Sequence, residues 1–518
     1  MKLKALLIQP PIHDFYLSPE RFTALGLKTL IPILEDEGYS WDLINFPLAY
    51  RKGHPTPLPS ELSYLKPFII QGETGPVSWF RGYHRYGPGP IETCKSILDK
   101  SPDILLISCF AWAYAAECLE MIRDLKTAAP DIPIIAGGPG VAAEPEYFQG
   151  PHGADFIYTG EAEAGFQKLL KYIKSNQDTN DKEGLKSIPN LYINKEVGPP
   201  LLTSCEDLYP VWSLSEMRGG THYTTMLSRG CPRKCRFCSN FLVQGRTFRK
   251  IPVDAVLASI DCFPQEGPLS INFEDDNLLL APDYFIEILT ALKAHNPAFS
   301  FTAENGMEYT LLNESLLAEL KGLGLSQLNI SLAVSSQRIA GSQERFLNLE
   351  KYSSVVQSAE KLNIPVITYF ICGLEGDTPE SIVEILLYLT ARPTSIGISP
   401  FYPVPGLPGL DKYDFRKIYP GLCRGSSSYP WMGNLSTAQI VTAFRLARYS
   451  NLFHRYKSDT ADFDPLLSEL ISVSLIKKRL HTIIRKNRKM VIIELSGMDI
   501  SMMEQYLTGV KEQIRPIG

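Results

Sequence analysis

The chain has no apolar run approaching the ~20 residues that a membrane-spanning helix needs. Its opening, Met1-Lys2-Leu3-Lys4 and then Ala5-Leu6-Leu7-Ile8, imitates a secretory leader only briefly, because Gln9-Pro10-Pro11 ends the run. A buried first strand and a cytoplasmic location are expected instead. A charge excess is also lacking: 51 Lys and Arg face 56 Asp and Glu, leaving −5, so there is no basic footprint for nucleic acid. Cysteine is sparse, with ten in 518 residues and only one close group, which excludes a disulfide framework and suits a reducing compartment. No internal repeat or low-complexity tract interrupts the chain. What remains is an ordinary globular composition, 44% hydrophobic and 21% charged. At 518 residues the chain is too long for one core, so two or three domains are expected.

The one cysteine group is Ser228-Arg229-Gly230-Cys231-Pro232-Arg233-Lys234-Cys235-Arg236-Phe237-Cys238-Ser239-Asn240. Its C-x3-C-x2-C spacing lets thiolates reach three corners of a cubane iron–sulfur cluster. Such a cluster ordinarily takes four cysteines. Three with no fourth nearby leave one iron open, and an open metal position favours chemistry over scaffolding. Other readings stand beside this one. A four-ligand zinc site would need a partner close by, and the next cysteine, Cys262, falls in a helical pattern. A redox pair of Cys235 and Cys238 would leave Cys231 without a role. Three structural thiols would be an odd neighbour for two Arg and a Lys.

Arg229-Gly230-Cys231-Pro232, Cys235 and Phe237-Cys238 together resemble the cluster loop of the radical S-adenosylmethionine (SAM) enzymes. The resemblance implies a [4Fe–4S] cluster on Cys231, Cys235 and Cys238, with SAM chelating the open iron and Phe237 packing near its adenine. The surrounding chain alternates strand and helix patterns. Strands are expected at Tyr223 to Leu227, Leu269 to Phe273, Ser300 to Ala303, Gln327 to Leu332, Pro365 to Ile371 and Ser395 to Pro400. Helices are expected near 253–263, 282–295, 313–322, 350–362 and 378–391. Six β/α units predict an open partial TIM-type barrel whose site lies at the carboxyl ends of its strands. Polar residues collect there. Glu274-Asp275-Asp276-Asn277 resembles the family's F-x-D-D-N run, and a carboxylate is a sensible acceptor for the SAM ammonium. The run alone does not say which carboxylate serves, and three acids together are also an ordinary solvated turn. Glu304, Ser331, Tyr369 and Gly373 are the remaining SAM-contact candidates. Thr378 is also a plausible helix N-cap, with Pro379 at the first helical position. Phe401 to Gly406 resembles the family's sixth-strand end, although Leu407 stands in place of its threonine.

Residues 1–200 read as a parallel doubly wound, flavodoxin-like sheet. Strands are expected at Ala5 to Ile8, Trp41 to Phe46, Ile104 to Ser108, Ile132 to Ala136 and Phe156 to Tyr158. A helical pattern runs from Leu25 to Leu34 and a helix from Ala115 to Ala128. Residues 47–90 resist assignment. Leu191 to Ile193 with Gly198-Pro199-Pro200 suggests a hairpin, after a polar surface stretch from Ser175 to Lys186. Ligands of such sheets bind outside the carboxyl ends of the strands. The region resembles the cobalamin-binding domain found ahead of many radical SAM domains. That likeness implies corrin contacts from Pro11, Ile12, His13, Ser108, Phe110, Gly137, Gly138, Pro139, Gly160 and Glu161. Glycines there would admit a close backbone approach. The D-x-H-x-x-G motif of histidine-donating carriers is absent, since the loop reads Ile12-His13-Asp14-Phe15-Tyr16. The other reading is a flavodoxin-like domain whose glycines serve only turns.

Residues 201–412 are assigned to the barrel and 413–518 to a mainly helical C-terminal region. Arg424 to Trp431 is expected to form a loop over the barrel mouth. Ser436 is expected to cap a helix to residue 454. Residues 465–489 read as another helix, its end basic with Lys477, Lys478, Arg479, Arg485, Lys486, Arg488 and Lys489. Such an end can meet phosphates or a membrane surface, or be a solvated face. The resemblance implies a cobalamin-dependent radical SAM enzyme, methylating an unactivated carbon through a 5′-deoxyadenosyl radical and methylcobalamin. Its alternatives are a non-methylating cyclisation or rearrangement, or a binding protein that keeps the fold without turnover. The implied partners are a small-molecule or peptide substrate and an electron donor such as flavodoxin or ferredoxin.

Overall fold

The computed structural model describes residues 2–514 except 19–20, 70–76, 78, 81, 176–181, 194, 199, 216–220, 457–462, 487–488 and 496. Part of the polar stretch at 175–186, Pro199 and Arg488 therefore lie outside the described residues.

Apolar runs too short for helices form the first sheet. Its strands are β1 (Lys4–Gln9), β2 (Ser40–Asn45), β3 (Ile104–Ser108), β4 (Ile134–Gly137), β5 (Phe156–Tyr158), β6 (Leu191–Ile193) and β7 (Glu196–Val197), in the order β7-β6-β5-β4-β3-β1-β2. Strands β2 to β5 join β1 in parallel, whereas β6 and β7 are antiparallel. Residues 5 to 8 of β1 are fully buried, as a central parallel strand covered on both faces requires. Helices α1 (Ala115–Ala128) and α2 (Glu163–Lys174) cover it. The pattern from Leu25 to Leu34 gives two short helices, Leu25–Lys28 and Ile31–Asp36, with Pro32 opening the second turn. In the unassigned stretch, His84–Tyr86 pairs with both Ile12–Asp14 and His54–Pro55, the middle strand of a small antiparallel sheet.

The second region holds β8 (Ser213–Ser215), β9 (His222–Thr225), β10 (Leu269–Phe273), β11 (Phe299–Thr302), β12 (Leu328–Ala333), β13 (Val366–Cys372) and β14 (Ser395–Pro400). Strands β9 to β14 are the six expected ones. They form two hydrogen-bonded groups, β8-β9-β10-β11 and β12-β13-β14. Two single bridges, Phe301 to Leu325 and Met307 to Ile330, span the gap between them. Helix α3 (Pro379–Thr390) starts at a capping box in which Thr378 and Ser381 satisfy each other's backbone N–H groups.

The C-terminal region contains α4 (Thr437–Tyr456), α5 (Phe463–Lys477), a hairpin of β15 (Leu480–Lys486) and β16 (Lys489–Leu495), and α6 (Ile500–Ile514). Ser436 accepts from Gln439 N at 3.3 Å, and Gln439 returns the bond to Ser436 N at 2.9 Å. The expected helix over 465–489 is corrected: it ends at Lys477, and Arg485, Lys486 and Lys489 lie in the hairpin. Thr482-Ile483-Ile484 and Val491-Ile492-Ile493 are β-branched runs, which favour paired strands. Among the described residues no helix is long and apolar enough to cross a membrane.

Candidate active site between the two sheets

The cysteine loop leaves β9 and is bracketed by a two-residue ladder, Ser228–Arg229 against Arg249–Lys250. Gly230 sits at φ 78°, and a Cβ there would lie 2.3 Å from Thr247 O, so only glycine fits before Cys231. Its N–H donates to Asp276 at 3.1 Å and to Gln244 at 3.2 Å. Cys231, Cys235 and Cys238 all line one cavity of about 490 Å³. Burial pushes the Cys231 thiol up and the Cys238 thiol to about 11. Thiolate ligation there must therefore displace protons. Asn277 Nδ2 lies 4.0 Å from Cys231 Sγ, and Arg345 Nη1 lies 3.9 Å from Cys235 Sγ. Among the described residues no three His, Cys, Asp or Glu side chains converge to hold one metal ion. Thiols spread around a cavity, with N–H donors aimed at sulfur, fit a cluster whose irons each take one thiolate.

The acidic run divides by role. Asp275 is buried and accepts from Ser228 Oγ at 2.5 Å and from Leu227 N at 3.2 Å. Burial raises it to about 7. Asp276 accepts from Asn240 Nδ2 at 2.6 Å as well as from Gly230. Glu274 faces the cavity and has only a 3.5 Å contact from Asn272; burial lifts it to about 7 against the pull of Arg21. Glu274 is thus the carboxylate with room for a ligand ammonium. Phe237 and Ser331 line the same cavity, whereas Glu304, Tyr369 and Gly373 are placed beside it. The Glu304 amide is anchored on Asn272 Oδ1 at 2.9 Å. The Tyr369 hydroxyl is drawn down the barrel to accept from Asn329 at 2.7 Å. Gly373 turns at φ 94° to give its N–H to Asp377 at 2.9 Å.

Several residues had gone unnoticed. Glu308 lies four positions beyond Glu304 and takes bonds from Asn277 (2.7 Å), Thr310 (2.8 Å) and Arg233 (2.8 Å). Burial opposes its charge, yet these donors hold its carboxyl below the usual range. Asn240, at the end of the cysteine stretch, also lines the cavity, as do Arg21, Asn305 and Arg345.

A second cavity of about 340 Å³ opens at the carboxyl ends of the first sheet. Ser108, Phe110, Gly137, Gly138, Pro139, Gly160 and Glu161 line it. Gly138, at φ 95°, also serves packing: a Cβ would lie 2.8 Å from Cys109 O. At Gly137 a Cβ would meet only Tyr158 at 3.6 Å, so its absence leaves room without being needed for the turn. Tyr158 lines the cavity, and its buried hydroxyl has no hydrogen-bond partner among the described residues. That orphaned group suits the polar arm of a corrin. Pro11, Ile12 and His13 are placed outside the lining of this cavity. Pairing of Ile12–Asp14 with His84–Tyr86 turns them aside. Pro11 fills the space beside Gly87, and His13 Nδ1 contacts Glu117 at 3.2 Å. Arg21, Phe110, Pro139, Asn240, Glu274 and Asp276 line both cavities, so the two adjoin.

Buried charges fix the sheets to each other. Arg249 makes two 2.8 Å bonds to Glu161, which also accepts from Thr203 N at 2.7 Å. The Glu161 carboxylate is therefore engaged by the ladder while the residue still lines the cavity. Arg229 reaches Glu163 at 2.7 Å, two residues before Cys231. The segment at 424–431 also reaches back to the first sheet. Arg424 is buried, donating to Ala113 O at 3.1 Å and to His13 O, with Asp14 and Glu117 each 3.9 Å away. Ser426 donates to Asp14 at 2.7 Å.

Family models match in two places: the Radical SAM superfamily over residues 225–389 and the B12 binding domain over residues 88–170. An uncharacterized methyltransferase of Pyrococcus horikoshii is 24% identical over 62% of this chain and 71% of its own. Cytidylyl-2-hydroxyethylphosphonate methyltransferase of Streptomyces wedmorensis is 22% identical over 74% of this chain and 75% of its own. Among solved structures, the radical SAM methyltransferase TsrM from Kitasatospora setae superposes with TM-score 0.56 at 15% identity, covering 78% of this chain and 74% of that one. The cobalamin-dependent radical enzyme OxsB gives TM-score 0.51 at 16% identity, over 81% of this chain and 55% of that one. These structural likenesses carry the fold. Along this one chain a B12 binding domain match thus precedes a Radical SAM superfamily match, the pairing found in cobalamin-dependent radical SAM enzymes.

Proposed function

We propose that the protein is a cobalamin-dependent radical SAM methyltransferase acting on an unactivated carbon of a small molecule or peptide. The observation that carries this is the shared wall: a cavity lined by three thiols adjoins one at the ligand-binding edge of the B12-type sheet. Methyltransferases among the relatives support it. When bound, the cluster and SAM supply a 5′-deoxyadenosyl radical, and cobalamin supplies the methyl group.

The chain's own residues hold and orient. Cys231, Cys235 and Cys238 grip the cluster, and the Asn277 and Arg345 N–H groups favour thiolate and help set its potential. Glu274 accepts the SAM ammonium, which pulls its carboxyl back down into the ionised range. Phe237 and Ser331 complete that side. Ser108, Phe110, Gly137, Gly138, Pro139 and Gly160 receive the corrin. Trp112, Tyr402 and Val404 exclude water around the substrate. On this reading the working units are residues 1–200, 201–412 and 413–518, and the electron comes from a donor such as flavodoxin or ferredoxin.

The test is anaerobic purification with cobalamin, followed by absorption spectra and iron counts for wild type and Cys235→Ala. The variant is expected to keep its corrin bands and lose cluster absorption and iron. A wild type that never takes up corrin removes methyl transfer. A product formed with 5′-deoxyadenosine but without an added methyl points to cyclisation or rearrangement instead.

A further inference from the structure

Methyl transfer needs an acceptor carbon that meets both compartments, so the acceptor must lie against the wall they share. Most arginines on the two linings are already engaged. Arg229 is paired with Glu163 at 2.7 Å and Arg233 with Glu308 at 2.8 Å. Arg246 donates to Arg233 O at 2.5 Å and lies over the Phe241 ring, and Arg345 donates to Ser331 O at 2.7 Å. Arg21 differs. It is exposed, lines both cavities and has no ion pair among the described residues, although Glu274 feels its charge. Its backbone is fixed from both sides. Phe22 is buried against Phe110, ring centroids 5.1 Å apart, and Thr23 O accepts from Ser213 Oγ of β8 at 3.0 Å. Ser239, directly after Cys238, lines both cavities too.

We propose that Arg21, aided by the Ser239 hydroxyl, binds an oxyanion carried by the methyl acceptor, a carboxylate or a phosphate, and so selects anionic acceptors. The proposal rests on the methyltransferase reading above. A guanidinium presents a planar fork of N–H groups that matches either oxyanion. In the loaded site the acids on the shared wall are taken: Asp276 by Asn240 and Gly230, and Glu274 by the SAM ammonium. The SAM carboxylate goes with that ammonium to the open iron. The Arg21 charge is then left for the acceptor to meet. Phe110, 38% exposed on the same wall, gives the adjoining part of the acceptor an apolar face.

The test uses the full-length protein loaded with cluster and cobalamin, the cluster kept oxidised so that added SAM stays intact. Benzoate, phenyl phosphate and uncharged benzamide are titrated by calorimetry. One or both anions should bind wild type about tenfold more tightly than benzamide, and which of them does so tells carboxylate from phosphate. Arg21→Gln should erase that preference, Arg21→Lys should keep part of it, and Ser239→Ala should weaken it about threefold. Lys361→Gln removes the same charge at the far end of the helix Leu349–Lys361, before β13, and should change nothing. The SAM Kd and the corrin content of Arg21→Gln should equal those of wild type. A variant that instead loses SAM affinity would give Arg21 to the SAM carboxylate, and one that loses corrin would give it to the corrin's phosphate; either overturns the proposal. So do anions that bind wild type no better than benzamide, or that keep their preference in Arg21→Gln. If wild type takes up neither corrin nor SAM, the methyltransferase reading has failed and this proposal falls with it.

Discussion

Asp275 and Glu274 are adjacent, yet one supports the cysteine loop and the other faces a cavity. Asp275 has its carboxyl raised by burial from 3.8 to about 7. The folded state then binds the proton more tightly than the unfolded chain, so stability falls as pH rises from about 4 to about 7. At about 1.4 kcal/mol per pH unit, the fall is on the order of 4 kcal/mol. Asp275→Asn should flatten that slope in denaturant titrations across the window. An Asn variant whose slope matched wild type would show that Asp275 ionises freely in the fold. The cysteines were legible because their spacing is itself the chemistry. The division of labour along Glu274-Asp275-Asp276 was not, since it depends on where Ser228 and Asn240 are brought in space. The placement of the His13 loop was hidden for the same reason, since its pairing partner, His84–Tyr86, lies far along the chain.

Among elements, the strands of both sheets were readable from short β-branched runs set between helical patterns. Three of the expected barrel elements, two strands and one helix, even coincide with the observed bounds: Leu269–Phe273, Ser395–Pro400 and Pro282–His295. The ladder Ser228–Arg229 against Arg249–Lys250 was hidden, because two residues per strand carry no periodicity. It nonetheless joins the cysteine loop to the loop before α2 through Glu161 and Glu163. Removing one member of such a buried set strands the other charge, at a cost of roughly 3–5 kcal/mol. Arg249→Met should lower stability by that order in urea titrations. A loss well under 1 kcal/mol would mean that water reaches the pair. The C-terminal hairpin is masked in the sequence because its basic residues continue the pattern of a helix end, although the β-branched runs at 482–484 and 491–493 favour strands.

For the whole molecule, Arg424 lets the C-terminal region act on the first sheet rather than on the barrel alone. It is buried among Asp14, Glu117 and Tyr114, and these neighbours strengthen its proton affinity against the effect of burial. Arg424→Met should speed proteolytic cutting within 412–431 and leave the barrel core intact. Unchanged cleavage would place the attachment elsewhere, for example in the aromatic packing of Trp79 and Phe80 on Phe444.

The partition that includes Arg21, Phe110, Pro139, Glu274, Asp276 and Asn305 belongs to two compartments at once. No substitution in it can retune one compartment alone, so these positions are answerable to two occupants. Divergence toward new acceptors has its freedom on the outer lining, at Arg246, Tyr402 and Val404, which face only the cysteine side.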